Sequence, residues 1–205
     1  MQQANVDGIA SGDASIIKVW DLPIRLFHWI LVLGCVSAYL TAEYHFREVH
    51  VLIGYGLCVL LMARLFWGFY GNRYARFDSF IFSPGETLAY MRSMFGKHPV
   101  KHYLGHNPAG ALMVFTLITL LTLIFSTGLV TLAVIDFEGP LLMLEHYVGD
   151  ETSYAFRHTH ELLTNIGLAL VTLHLMGVVG GSIQHKDNLV KAMITGNKVN
   201  PSHTN

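Results

Sequence analysis

Four stretches of the chain are apolar almost without interruption: residues 22–42, 48–70, 108–134 and 159–181. Each is about twenty residues or more, the length an α-helix rising 1.5 Å per residue needs to cross the hydrocarbon of a bilayer. Polar segments rich in breaks separate them, so the pattern predicts four membrane-spanning helices. Trp20 and Pro23 stand at the start of the first, an interfacial aromatic and a proline suited to a first helical turn. Asn107-Pro108 opens the third, and Gly180-Gly181 closes the fourth.

The connections carry shorter signals. A tight turn over residues 43–47 returns the chain from the first span to the second, which ends in the aromatic and basic run Arg64 to Gly71. Ser83-Pro84-Gly85-Glu86 reads as a capping box with proline at the first helical position. Leu88, Met91 and Phe95 follow on one face, with Arg92 and Lys97 adding charge, which predicts a short helix lying on the membrane surface. Gly139-Pro140 breaks the third connection before a half-buried surface helix over Leu141 to Tyr147, and Asn188 to Thr195 reads as a short amphipathic helix. Residues 1–16 are expected to be a disordered N-terminal segment and 199–205 a tail around a single domain at 17–198. The first apolar run is too long for a cleaved signal peptide.

Composition agrees and charge adds orientation. The chain of 205 residues is 52% hydrophobic and 13% charged, where an average soluble domain has about 25% charged residues. The fold class is therefore an all-α integral membrane four-helix bundle with short interfacial helices. If the spans alternate, eleven of the thirteen Lys and Arg fall on one side, and only Arg47 and Arg157 fall on the other. With these two lie Glu43, Glu48, Asp136, Glu138, Glu145, Asp150, Glu151 and Glu161. The positive-inside rule then puts both termini and the 71–107 connection in the cytoplasm, and the acidic 135–157 connection outside. The expected contacts are membrane lipid and proteins of that outer compartment, with no nucleic acid.

Histidine placement carries the candidate chemistry. His160 and His174 are fourteen residues apart on the fourth span, which leaves them within about 40° of one face and about 21 Å apart along the axis. His158 and His174 point to nearly opposite faces, so His158 belongs at the outer surface. His28, near the inner end of the first span, matches His174 in depth. His50, at the outer start of the second, matches His160; its rival His45 falls in the turn and is too shallow. Ionisable groups at such depth need a reason to be there. Two bis-histidine haems stacked across the membrane, on the pairs His28/His174 and His50/His160, satisfy that arithmetic. A metal transporter or passive anchor is the competing reading, though such metal sites usually recruit Cys, Met or carboxylates close by.

Supporting positions are less specific. Gly54, one turn from His50, and Gly177, near His174, are places where a porphyrin could approach backbone, or simple helix-packing glycines. Arg25 and Arg64 on the inner side, and Arg47 or Arg157 on the outer, could pair with haem propionates or merely set topology. His98, His102 and His106 are spaced by four, but Pro99 interrupts the helix they would need, so they read as a loop. Cys35 and Cys58 sit within spans and read as small hydrophobes; with no Cys-x-x-Cys-His there is no covalent c-type haem.

Several stretches resemble the bacterial cytochrome b561 and nickel–iron hydrogenase b-type cytochrome family. They are Val19-Trp20-Asp21-Leu22-Pro23-Ile24-Arg25-Leu26-Phe27-His28-Trp29, His50-x-x-x-Gly54-Tyr55, Arg64-Leu65-Phe66-Trp67-Gly68-Phe69, Gly105-His106-Asn107-Pro108-Ala109-Gly110, and His185-x-Asp187-Asn188-Leu189-Val190 to Thr195-Gly196. The resemblance implies a four-helix bundle of the inner membrane holding two non-covalent b haems. Its ligand positions fall on His28, His50, His160 and His174. It implies electron transfer between a periplasmic partner, a c-type cytochrome or hydrogenase-like protein, and the membrane quinone pool. A free-standing superoxide:quinone oxidoreductase is the alternative within the same family. Arg64, Trp67 and His106 are candidate quinone contacts on the inner side, with the outer haem edge equally open.

Overall fold

A computed structural model describes residues 16–94, 103–185 and 187–199. All four predicted spans are helices: α1 (Leu22–Glu43), α2 (Arg47–Tyr70), α4 (Pro108–Val134) and α5 (Asp150–His185), with a short α3 (Pro84–Met94) and α6 (Leu189–Thr195) on one side. Each of the four is long and apolar enough to cross a membrane. Their outward residues, among them Leu33, Leu52, Val59, Met62, Leu173 and Val179, are exposed apolar side chains, as helices solvated by lipid require.

Local chemistry sets the ends. Asp21 caps α1, its Oδ1 accepting from Ile24 N at 3.0 Å, and Asn107 caps α4, accepting from Gly110 N at 2.7 Å. The capping box of α3 is formed both ways: Glu86 N donates to Ser83 Oγ and Ser83 N donates to Glu86 Oε2, each at 3.2 Å. On its apolar face Leu88 and Met91 are exposed, whereas Phe95 and Lys97 lie outside the described residues. The α1–α2 turn is closed by His45 in the left-handed region at φ 60° and by Phe46 N donating to Thr41 O. Leu142–Tyr147 forms a 3-10 turn with Met143 and Tyr147 exposed.

Two features differ from the expectation. The fourth helix begins at Asp150, nine residues before the apolar run, because nothing between 150 and 159 breaks a helix and Asp150 and Glu151 suit its positive N-terminus. Its 36 residues make it about 54 Å long, more than the hydrocarbon needs. Second, Ile16–Lys18 (β1) pairs antiparallel with Asn197–Val199 (β2), in the register Ile16↔Val199 and Lys18↔Asn197. The two ends of the domain are thus zipped together on one side of the bundle. The disorder expected before residue 16 falls outside the described residues.

The spans form two hairpins, α1 against α2 and α4 against α5, joined through α2 and α4. On the outer side Arg47 ties them together, contacting Asp136 at 3.3 Å and Glu138 at 3.0 Å beyond α4. On the inner side a small core of Val19, Trp20, Ile24, Ala75 and Ala192 forms a clasp. Gly196 closes α6 at φ +86°, and its carbonyl accepts from Val19 N and Trp20 N. Asp21 is the clasp's polar centre: besides its cap, Oδ2 accepts from Trp67 Nε1 and Asn72 Nδ2, both at 3.0 Å. Asp21→Ala is expected to destabilise the inner end by about 2–4 kcal/mol, from a lost cap and two charge-assisted hydrogen bonds, measured as a lowered melting temperature in detergent.

Candidate functional site

The less exposed positions of α5 fall on one stripe that runs Ser153, Phe156, His160, Thr164, Gly167, Leu170, His174, Val178 and Gly181. Both histidines therefore share the packed face of the helix, as the fourteen-residue spacing requires. His158 lies off it, exposed, 3.7 Å from Glu161. His45 is exposed in the turn.

At the outer end the His50 and His160 rings stand with centroids 6.4 Å apart and planes at 90°. Each ring is oriented by a hydrogen bond to a neighbouring helix. His50 Nδ1 lies 2.9 Å from Ala38 O on α1, and His160 Nδ1 lies 2.9 Å from Ile124 O on α4. A carbonyl oxygen only accepts, so both Nδ1 atoms carry the proton and both Nε2 atoms keep a free lone pair. Each carbonyl also accepts from a threonine three residues on, Thr41 and Thr127, at 3.0 Å. Gly128 makes room for this arrangement: a Cβ there would lie 2.9 Å from His160 Cε1 and 3.2 Å from Nδ1.

Toward the inner end stands His28, two turns into α1. The His28 ring meets Trp29 edge-on at 5.1 Å, and its Nδ1 is buried without a hydrogen-bond partner. At Gly54 and Gly177 no atom of a neighbouring helix lies within 4 Å of where a Cβ would sit, so helix–helix packing does not account for either.

The inner arginines are built into the clasp. Arg25 Nη1 donates to Ile194 O at 2.7 Å, and its Nε is buried with no partner. Arg64 is 5% exposed, stacked 4.7 Å above the Phe77 ring, with Nη1 buried and unpartnered. The outer arginines have carboxylate partners instead, Arg47 with Glu48, Asp136 and Glu138, and Arg157 with Glu161. Trp67 serves Asp21. Cys35 and Cys58 are free and half-buried. Among the described residues no group of three or more His, Cys, Asp or Glu converges as a metal site.

His106 reads from the sequence as a loop residue and an inner-side quinone candidate; His98 and His102, spaced with it by four, lie outside the described residues. The structure places His106 between Trp20 at 4.7 Å and Phe80 at 4.3 Å, with Nδ1 buried and unpartnered. It lines a cavity of about 400 Å³ with Arg73, Tyr74, Ser79 and Tyr103. Its neighbours in the aromatic clasp, not its spacing, make it distinctive. Burial first, then the Arg64 and Lys198 charges, push its pKa down to about 3.

The described residues thus hold one close imidazole pair, His50 and His160, at the outer end, and buried cations at the inner end, Arg64 and Lys198. Residues 19–196 match the family described as prokaryotic cytochrome b561. The chain belongs to that family. It is accordingly a multi-pass protein of the bacterial inner membrane, a b-type cytochrome of electron transport with haem b as its cofactor. Similar curated proteins are each named "Probable Ni/Fe-hydrogenase B-type cytochrome subunit". That of Rhizobium leguminosarum bv. viciae is 24% identical, covering 96% of this chain and 94% of its own. That of Rhodobacter capsulatus is 23% identical, covering 89% and 81%. The Azotobacter vinelandii protein is 28% identical over 48% of this chain, and the match spans about half (52%) of that relative's length. No solved structure matches the chain significantly.

A histidine held at about 3 in the native state and near 6.5 when unfolded leaves the unfolded chain binding more protons between these values. His106 therefore contributes a loss of stability as pH falls from about 6.5 towards 3. His106→Phe is expected to flatten the acid limb of a melting-temperature profile over that window; an unchanged slope would show that the imidazole titrates normally.

Proposed function

We propose that the chain is a di-haem cytochrome that carries electrons between a redox protein in the periplasm and the membrane quinone pool, with His50/His160 and His28/His174 as the two axial pairs. The observation that carries this reading is the outer pair. With metal–imidazole bonds of about 2 Å and each ring centre roughly 1 Å behind its nitrogen, two opposed imidazoles on one metal stand about 6 Å apart. The rings of His50 and His160 stand 6.4 Å apart with both Nε2 lone pairs free. The inner pair is supported by the packed face of α5 that His174 shares with His160, and by the matched depth of His28.

Haem b, when bound, supplies reversible one-electron chemistry at iron, and the protein's task is to hold and tune it. The four histidines do the holding. Arg25 and Arg64, each with a buried unpartnered nitrogen, suit the propionate carboxylates of the inner group, since a buried guanidinium without an anion is costly. Arg47 and Arg157 do not fill that role outside, being paired already. Gly54 and Gly177 leave backbone open where a flat macrocycle would lie. One pair near each face divides a crossing of about 30 Å into shorter steps.

The acidic outer face is the docking surface for a basic partner, a c-type cytochrome or the small subunit of a hydrogenase-like enzyme. Arg47 and Arg157 are neutralised by carboxylates, so Glu43, Glu145, Asp150 and Glu151 present uncompensated charge beside exposed Met143 and Tyr147. The same field would repel superoxide, which weighs against a superoxide oxidase. The relatives' printed names favour a hydrogenase-like electron donor.

The pyridine haemochrome of the purified protein is expected to report two b haems per chain, falling to about one in His174→Ala. No haem, or two in the variant, would overturn the ligand assignment. Charge reversal at Glu145, Asp150 and Glu151 together is expected to slow electron exchange with a basic c-type cytochrome about tenfold or more at low ionic strength. Rates that neither fall nor lose their salt dependence would remove this face as the docking surface.

A further inference from the structure

We propose that the two histidine pairs are unequal by construction, the outer pair holding its haem at a lower reduction potential than the inner, with the carbonyls of Ala38 and Ile124 as the positioning groups. This rests on the bis-histidine reading above. Gly128 is the residue that admits the His160 ring to its carbonyl.

The asymmetry lies in the nitrogen that does not face the metal. Both outer imidazoles donate Nδ1–H to a backbone carbonyl at 2.9 Å. Such a bond pulls the proton away from the ring, makes the opposite nitrogen a stronger donor and favours the more oxidised metal. His28 Nδ1, by contrast, is buried with no partner. His28 is therefore the weaker donor. The charges act in the same sense. Arg25, one turn from His28, and the buried Arg64 place positive charge at the inner end, which favours the reduced state there. The outer end is crowded with carboxylates, of which Asp136 and Glu138 already hold Arg47.

The transfer itself moves one electron from the outer centre to the inner one, with no bond made or broken and no proton exchanged. An electron shared between the two is expected to favour the inner centre at least about tenfold, equivalent to about 59 mV for a one-electron couple.

The test is a spectroelectrochemical titration of the purified holoprotein and three variants, each with its haem count. The wild type is expected to titrate in two waves. His174→Ala, keeping the outer centre, should retain the lower wave, and His160→Ala, keeping the inner one, should retain the higher; the reverse order overturns the proposal. Should either variant lose both haems, Gly128→Ala keeps all four ligands while its Cβ crowds His160 away from Ile124 O. It should raise the lower wave and leave the upper one in place. With two haems still bound, a shift of the upper wave or of neither overturns the proposal. A wild-type count other than two fails the bis-histidine reading itself, so the two failures are distinguishable.

Discussion

Within a bilayer an imidazole has no water to complete its hydrogen bonding, so each ring nitrogen must find a partner in the protein or in what the protein binds. The bundle is organised around that demand. For His50 and His160 one nitrogen is satisfied by a carbonyl of the neighbouring helix. These helix carbonyls are shared acceptors, each taking the threonine hydroxyl three residues on as well as the imidazole. The rings can then be held near each other without disturbing α1 or α4. Small residues at the contact, Gly128 above all, bring the helix close enough for the bond to form. The outer arrangement is thus a consequence of how tightly each hairpin packs, which is why each of the two imidazoles is fixed by the other helix of its own hairpin.

The inner end is held by different means. There the chain leaves the membrane, and a clasp of aromatic and polar groups joins both ends of the domain to the bundle. Asp21 satisfies a helix cap, an indole and an amide together, and the β1–β2 ribbon anchors the segment after α6 beside the start of α1. Arg25 bridges the two parts, leaving α1 toward α6 within one turn of His28. The rigidity of His28 therefore depends on the C-terminal segment, a coupling across 169 residues of sequence. Lys198, whose pKa burial lowers, sits inside this clasp 4.0 Å from Asp187 and 5.9 Å from the Trp20 ring, so the inner end gathers positive charge into a low-dielectric environment.

How much of this the chain displays in its residues follows from what each feature is made of. The spans and the face shared by His160 and His174 were legible because they rest on periodicity, and fourteen residues bring a helix nearly back into phase. The Ser83–Glu86 box and the Asn107 start were legible because capping uses particular side chains at fixed offsets. The acceptors of the outer imidazoles were not, because Ala38 and Ile124 contribute backbone oxygen, which any residue possesses. The β ribbon was hidden since three-residue strands at opposite ends of a domain carry no alternation to read. The outer extension of α5 was missed because a hydropathy pattern ends where the lipid ends, while a helix ends only where something breaks it. His106 looked like one of three loop histidines, and only the fold shows it enclosed by Trp20 and Phe80.

Orientation supplies the last constraint. An electron moving from the outer face to the inner one travels against a membrane potential that is negative inside, at a cost of about 2.3 kcal/mol per 100 mV for a full crossing. Two centres of equal potential would leave that cost to the electron donor alone. The features that distinguish the two ends all oppose it: carbonyl-bound imidazoles and carboxylates outside, the unassisted imidazole of His28 and buried guanidinium groups inside. None of these needs an extra residue in the path. They arise from the same arrangement that sets topology, since the positive-inside distribution that orients the bundle also places cations beside the centre that receives the electron in the proposed direction. If electrons move inward as proposed, the charge pattern that directs insertion and the one that favours that flow have the same sense, so either orientation error or charge inversion at the inner end would disturb both together.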